Sequence, residues 1–309
     1  MVYSRKPIMT IDNIPVFSER NEYIINYEKI ANEHLNHFGK TGENPWMEEE
    51  FWKDLEASTR KLINKYSKLN GKILDVGVGL GRLLSETKHV NKYGMDVSIE
   101  YLKIAAKKSI KVCMSLVEDM PYKEGVFDMV VCTDVLEHVL DVNLAIKKIL
   151  SVIKQNGYLI VRVPYKEDLT PYLDPTYPFI FSHLRNFDEN SLRLIFEKIF
   201  KCAVEDIQYC GYLSRIDRLK YDNSGRFRDV RIVLFWYLGW IPQKIFKILI
   251  KLIGHDMILK HIYYFFRKFY PDRCSTIIEQ LKGRNIELYE KIIKDCYNPI
   301  DINIVVKKK

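Results

Sequence analysis

Residues 72–84 read KILDVGVGLGRLL, and this stretch decides the fold. Ile73, Leu74 and Val76 suit a strand buried in a core, Asp75 stands near its end, and Gly77, Gly79 and Gly81 follow at alternate positions. Glycines there let the backbone turn tightly and approach a ligand with no Cβ in the way. In a doubly wound sheet such a turn lies at the carboxyl edge of the first parallel strand, where cofactors are held. A dinucleotide fingerprint, G-x-G-x-x-G, would place its third glycine at position 82; Arg82 stands there, which argues against a nicotinamide dinucleotide.

Working outward, Tyr93-Gly94-Met95-Asp96-Val97-Ser98 reads as a second strand ending in an acid, with Ser98 as N-cap of a helix carrying Leu102 and Ala105. Asp96 lies about twenty residues beyond the glycines, where a carboxylate can accept hydrogen bonds from both hydroxyls of a ribose. Residues 126–132, VFDMVVC, form the continuous apolar run of a strand buried on both faces. They lead into TDVLEHV at 133–139, and LSVIKQNGYLIVRVP at 150–164 supplies a helix end, a turn at Asn156-Gly157 and another strand.

The spacing D-x-G-x-G-x-G, the acid at 96, the FDxVVCxDVLEHV block and the NGYLIVxVP block, in this order over residues 60–210, resemble the class I S-adenosylmethionine-dependent methyltransferases of small-molecule type. The resemblance implies an α/β fold, a doubly wound, seven-stranded, mostly parallel sheet, and S-adenosylmethionine as cofactor. It implies cofactor contacts from Asp75, Gly77, Gly79, Gly81, Asp96, Val97, Leu116, Val117 and Cys132. Leu116 occupies a position where the family often has an adenine-contacting Asp, so adenine is expected against Val97 and Leu116 and on the backbone N–H of Val117.

At 309 residues the chain is longer than one such core needs, so added elements are expected. The expected division is an N-terminal helical cap (1–70), the cofactor-binding core (71–210), a helical basic and aromatic insertion (211–297) and a final core strand with a tail (298–309). Six cysteines without C-x-x-C pairing read as reduced thiols, and MVYSRKPIMTIDNIPVF lacks the apolar core of a signal peptide. A cytoplasmic location follows as the expectation. Glu22 to Phe38 and Glu48 to Leu69 show helical spacing, with His34 and His37 read as helix surface. Trp46, Phe51 and Trp52 are candidates to cover the cofactor mouth or simply to pack between helices.

Residues 165–187, rich in proline and aromatics, would lie beside the donated methyl group, making Tyr172, Tyr177, Phe181, His183 and Arg185 candidates to line an acceptor pocket. Arg185 and Phe187 have structural support as their competing role. Methyl transfer from a sulfonium asks a protein to align acceptor, methyl and sulfur, exclude water and remove the acceptor's proton. Asp134, Glu137 and His138, at the exit of the fourth core strand, are the catalytic candidates, with His138 as a base titrating near 6.5. D-x-x-E-H also resembles the E-x-x-E-H metal site of ubiquinone-biosynthesis O-methyltransferases; a divalent metal is the weaker reading, and no metal ligand is assigned.

Ala203 to Cys210 and Ile302 to Val306 read as the last two strands, an antiparallel hairpin interrupted by the insertion. Within it, residues 231–270 set Lys244, Lys247, Lys251, Lys260, Arg267 and Lys268 beside Ile, Leu, Phe and Trp, concentrating part of the formal charge of +8. Its apolar runs fall short of the about twenty residues that cross a bilayer. A basic amphipathic segment suits an anionic membrane surface, while a lid or a homo-oligomer interface would bury the same face. Nucleic acid is disfavoured, because the lysines edge an aliphatic stripe instead of alternating with stacking groups. The function expected is methyl transfer from S-adenosylmethionine to a small or lipid-linked acceptor at oxygen. The alternatives are a saccharide or polyprenyl-linked glycan acceptor, and a non-catalytic cofactor-binding module that docks to membrane or partner.

Overall fold

The computed structural model describes residues 2–41, 45, 49–211 and 299–309. Five parallel strands form its centre: β3 (Lys72–Val76), β4 (Asn91–Asp96), β5 (Lys111–Met114), β6 (Phe127–Thr133) and β7 (Ile153–Pro164). A short β1 (Met9–Ile11) and β2 (Ile14–Val16) precede them in the chain, and β8 (Ala203–Cys210) and β9 (Asp301–Lys307) follow. The sheet runs in the order β1-β2-β5-β4-β3-β6-β7-β9-β8. β9 is antiparallel to both β7 and β8, so the last two strands make the expected hairpin.

The sheet therefore has nine strands where seven were expected. The extra pair is a hairpin whose turn residues Asp12 and Asn13 have φ of 50° and 65°, the left-handed conformation that Asp and Asn tolerate and that two-residue hairpins need. β2 joins the sheet by pairing with β5 in parallel at Val16 and Met114.

Side chains alternate across the central strands, and both faces are covered. Leu74, Val76, Val130 and Cys132 enter one apolar cluster; Ile73, Met129 and Val131 enter the other. Burial on both sides explains why these strands read as continuous apolar runs. Helices α3 (Arg82–Ser85), α4 (Ile99–Ala106) and α5 (Val142–Val152) connect the parallel strands, and α1 (Glu22–Thr41) and α2 (Glu49–Tyr66) precede them. Ser98 caps α4 by accepting the Tyr101 N–H at 3.3 Å, as its spacing predicts.

His34 departs from expectation. It is 9% exposed, and its Nδ1 lies 2.7 Å from the Tyr101 hydroxyl, so it packs α1 against α4 and is not helix surface. All the described residues except Gly211, Pro299 and Ile300 belong to a unit of Met1–Cys210 and Asp301–Lys309, whose free cysteines 113, 132, 202 and 210 are all buried. Gly211–Ile300 form a second unit. Within it, the basic and aromatic stretch expected at 231–270 lies outside the described residues, as does Trp46. Among the described residues no helix is long and apolar enough to cross a membrane.

Candidate active site

Strand order reverses between β3 and β6, with β4 on one side and β7 on the other. Ligands of open α/β sheets sit in the crevice at the carboxyl ends of such strands. Three segments meet there: the glycine turn after β3, the end of β4, and residues 134–140 after β6.

The glycine turn is pinned from one side and open on the other. The amides of Gly77 and Val78 both donate to the Met95 carbonyl, at 2.9 and 3.0 Å. Gly77 has φ 74°, and a Cβ built there would sit 2.2 Å from Val135 Cγ2, so only glycine fits. Gly79 differs: its φ is 48°, yet a Cβ there would meet nothing within 4 Å, which leaves its backbone facing free space. Its N–H donates to Asp96 Oδ2 at 2.9 Å, and the Ser98 N–H donates to Oδ1 at 2.9 Å. One carboxylate thus ties the two loops together. Burial raises the Asp96 pKa above the ordinary carboxylate value, against the lowering effect of the amides of Ser98, Gly79 and Val97.

Of the other expected cofactor residues, Asp75 is 2% exposed, and its Oδ1 has no partner among the described residues. Burial, then the charge of Asp96, pushes it well above the usual range. Val97 and Leu116 are half-buried against the same apolar cluster. Val117 is buried in the opposite cluster, as is Cys132, whose thiol lies in the core, leaving backbone as what Cys132 can offer a ligand. Arg82, which breaks the dinucleotide fingerprint, pairs with Glu56 of α2 at 3.1 Å.

This geometry agrees with the comparisons with known proteins. Residues 74–161 match a family described as methyltransferase domain. The likeness supports S-adenosylmethionine as the cofactor of this segment, and the family match spans less than a third of the chain. Two uncharacterized proteins of Methanocaldococcus jannaschii are each 33% identical to it, over 124 and 135 residues, covering 40% and 42% of this chain and 53% and 62% of theirs. The chain thus spans less than two thirds of their length. A ubiquinone biosynthesis O-methyltransferase of Rickettsia conorii is 33% identical over 115 residues, 35% of this chain and 39% of that protein. Among solved structures, a possible histamine N-methyltransferase of Thermotoga maritima is similar at 22% identity and a TM-score of 0.45, over 60% of this chain and 82% of that one.

The other side of the site is assembled from distant segments. The Asp134 carboxylate turns away, on a residue with φ 55°, onto the guanidinium of Arg162. Arg162 is 2% exposed and also reaches Thr59 Oγ1 at 3.2 Å and Asp301 Oδ2 at 3.4 Å. A buried arginine needs such partners, so Asp134 is committed to the scaffold, not to the acceptor. The D-x-x-E-H triplet therefore does not converge on a metal. Trp52 lies against the same guanidinium, its ring 5.9 Å away, and so packs on this network; the side chain of Phe51 lies outside the described residues.

Glu137 is fully buried, and neither carboxylate oxygen has a hydrogen-bond partner among the described residues. His138 departs from expectation as a base near 6.5. Burial, then the neighbouring His183, pushes its pKa down to about 3, so the imidazole stays neutral. Its Nδ1 lies 3.3 Å from the Ser182 carbonyl, and Tyr27 of α1 presents its ring edge-on at 5.6 Å.

Arg185 is a second correction. Its Nη1 donates to the carbonyls of Leu136 and Val139, at 2.7 and 2.6 Å, so it holds the 136–140 turn instead of facing an acceptor. Phe187 is core. Tyr172, Tyr177, Phe181 and His183 do gather around this end. Tyr172 lies edge-on to Tyr177 at 5.2 Å and tilted against His183 at 5.0 Å, and Phe181 packs on Tyr23 at 5.4 Å.

The sequence reading missed Tyr23, Asn26 and Tyr27 on α1, and Glu167. The Asn26 side chain donates to the Phe181 carbonyl at 2.8 Å and accepts from the amides of Ile180 and Phe181, stapling α1 to the 165–187 loop. No local motif announces that contact. Glu167 holds the His183 Nδ1 and accepts from the Tyr172 hydroxyl at 2.8 Å; an acid three residues past a core strand was its available signal.

Proposed function

We propose that the chain transfers a methyl group from S-adenosylmethionine to an oxygen of a small or lipid-linked acceptor. The observation that carries this reading is the amide-bound Asp96 beside the open backbone of Gly79, at the switch point of the sheet. That pair suits a ribose on the carboxylate and the rest of a nucleoside along the turn. Buried and unpartnered, Asp75 Oδ1 offers a further acceptor close by.

When bound, S-adenosylmethionine supplies a methyl group already activated by its sulfonium charge, which departs to the acceptor oxygen as the carbon–sulfur bond breaks. The protein's task is alignment, exclusion of water and removal of the acceptor hydroxyl proton. Alignment falls to the glycine turn and Asp96. Exclusion falls to α1 and the 165–187 loop, joined through Asn26. The proton leaves toward the group of Glu137, His138 and His183 beyond the exit of β6. Within it the neutral His138 is a weak base by itself.

Oxygen as the target draws on the likeness to ubiquinone biosynthesis O-methyltransferases. A lipid-linked acceptor draws on Leu173 and Ile180, which stand 81% and 83% exposed on the 165–187 loop. The test is incubation with methyl-labelled S-adenosylmethionine and fractionated lipid and polar extracts. Label is expected in a lipid fraction, and its transfer is lost in Asp96→Ala and Glu137→Gln. Cofactor binding without label in any fraction would instead support the non-catalytic module.

A further inference from the structure

Three titratable side chains gather beyond the exit of β6, and they differ in their capacity to take a proton. One atom of each of Glu137, His138 and His183 lies within 4.8 Å of the other two, and the two imidazole rings meet edge to face at 4.5 Å. Burial, then the charge of Asp134, pushes Glu137 well above the usual carboxylate range, which favours the uncharged acid. His138 is held far below the ordinary imidazole value and takes a proton poorly. His183 differs from both, because its ring has a carboxylate as partner.

The neck of the 165–187 loop places that partner. The Lys166 amide donates to the Phe187 carbonyl at 2.8 Å, and the Asn186 side chain donates to the Glu167 carbonyl at 3.2 Å, so the two ends of the loop lie side by side. The Leu184 amide donates to the Glu137 carbonyl at 2.8 Å, which fixes the neighbour of His183 to the turn after β6. A carboxylate can only accept, so His183 Nδ1, bonded to Glu167, carries a hydrogen. The Tyr172 hydroxyl, 3.3 Å from the same nitrogen, donates its own hydrogen to Glu167 at 2.8 Å and turns only oxygen to the ring. Nδ1 thus keeps its hydrogen in both charge states, and the proton that comes and goes sits on Nε2. An imidazole held by a carboxylate on one nitrogen, with a lone pair on the other, is the arrangement that general-base catalysis uses.

We propose that His183 is the base that takes the acceptor's hydroxyl proton and that Glu167 positions it, an inference that rests on the methyl-transfer reading above. As Nε2 takes the proton, the acceptor oxygen bonds to the methyl carbon, and the electron pair of the broken carbon–sulfur bond stays on sulfur as a neutral thioether. The imidazolium is paired with Glu167 and then gives its proton to water, which its 19% exposed side chain reaches. Tyr172, Tyr177 and Phe181 share the loop with His183, so acceptor contact and proton removal reside in one segment.

Two measurements test it. Nitrogen NMR of the full-length protein with labelled histidine needs no acceptor. His183, assigned by the signals lost in His183→Gln, is expected as the Nδ1–H form with Nε2 as the nitrogen that titrates. The titratable groups facing it are Glu167 and Tyr172 on its own loop and Glu137 and His138 after β6, and Glu167→Gln should weaken the Nδ1–H preference. The second measurement supplies methyl-labelled S-adenosylmethionine with the extract fraction that takes up label. His183→Gln should lower kcat about 10²–10⁴-fold, with calorimetric affinity for S-adenosylmethionine within a factor of about three. Glu167→Gln should lower kcat about tenfold or more at an unchanged acceptor KM, and Glu167→Asp should recover part of it. The proposal is overturned if His183 carries its hydrogen on Nε2, or if His183→Gln turns over as fast as wild type. Should His183→Gln fail to fold, the wild-type tautomer and the kcat of Glu167→Gln decide, and an unchanged kcat there sinks the dyad. A wild type that binds S-adenosylmethionine and labels no fraction ends the methyl-transfer reading and the base role with it. A labelled fraction alongside the Nε2–H form ends the base role alone.

Discussion

The two halves of the site are built in opposite ways. On the cofactor half, the turn after β3 and the acid ending β4 are close in sequence, and their polar groups satisfy one another through backbone amides. On the acceptor half, α1, the turn after β6 and the 165–187 loop meet across more than a hundred residues, as Asn26 and Phe181 show. There a buried carboxylate has no donor among the described residues. The first half is a finished cradle that a local motif can encode; the second is arranged around something the fold does not itself supply.

Gly77 is where the halves interlock, since Val135 occupies the space its side chain would take. Gly77→Val should have the largest effect, about 2–4 kcal/mol from overpacking plus a left-handed φ. It should lower stability and weaken both cofactor binding and acceptor turnover, as read by urea unfolding, calorimetry and labelled-methyl transfer. Effects on one half alone would break the interlock.

Asp96→Ala comes next, and separates the halves. Losing charge-assisted bonds of about 1.5–3 kcal/mol each should weaken S-adenosylmethionine binding about 100-fold, while the acceptor KM stays within a factor of about three. The pH dependence sharpens this. The Asp96 pKa is raised, and the protonated form loses acceptor capacity, so cofactor affinity should fall on acidification at a higher pH than for an ordinary carboxylate. Affinity that is flat until the ordinary carboxylate range would contradict the burial argument.

Asn26→Ala removes the staple between α1 and the loop. The expected cost is about 1–3 kcal/mol of stability, with a raised acceptor KM and unchanged cofactor affinity. A change in cofactor affinity instead would place α1 on the other half.

The smallest effect is a control far from both halves. Burial alone would raise Asp128, yet Lys154 at 2.7 Å and the Lys72 amide hold it below the usual range. A depressed folded pKa contributes stability above the unfolded value, lost as pH falls through the folded one. Asp128→Asn should therefore cost at most about 1 kcal/mol at pH 7, with the difference from wild type vanishing in acid, as thermal unfolding at several pH values would show.

The contrast also explains what was legible. The glycine turn, the Asp96 acid, the Ser98 cap and the β6 and β7 runs follow from neighbours in sequence, and all are present. The opening hairpin was passed over because its strands are three residues each, although Asp12-Asn13 is a two-residue turn signal. Asp134 was misread because D-x-x-E-H carries no notice that Arg162 would claim it. The clue lay in LIVRVP, where a charge inside a strand buried on both faces demands a partner. His138 was given too high a basicity for a related reason: burial and His183 set its pKa, and neither shows in VLEHV. Arg185 points at carbonyls that only the folded turn brings within reach.

The central claim is that the bend after β3 and the acid after β4 cradle a sulfonium nucleoside. Calorimetric titration of the wild type with S-adenosylmethionine, its demethylated product and a nicotinamide dinucleotide tests it most directly. The account predicts one site per chain for the first two, weakened about 100-fold in Asp96→Ala, and no heat from the third. Binding of the dinucleotide with no response to either sulfur compound would contradict it.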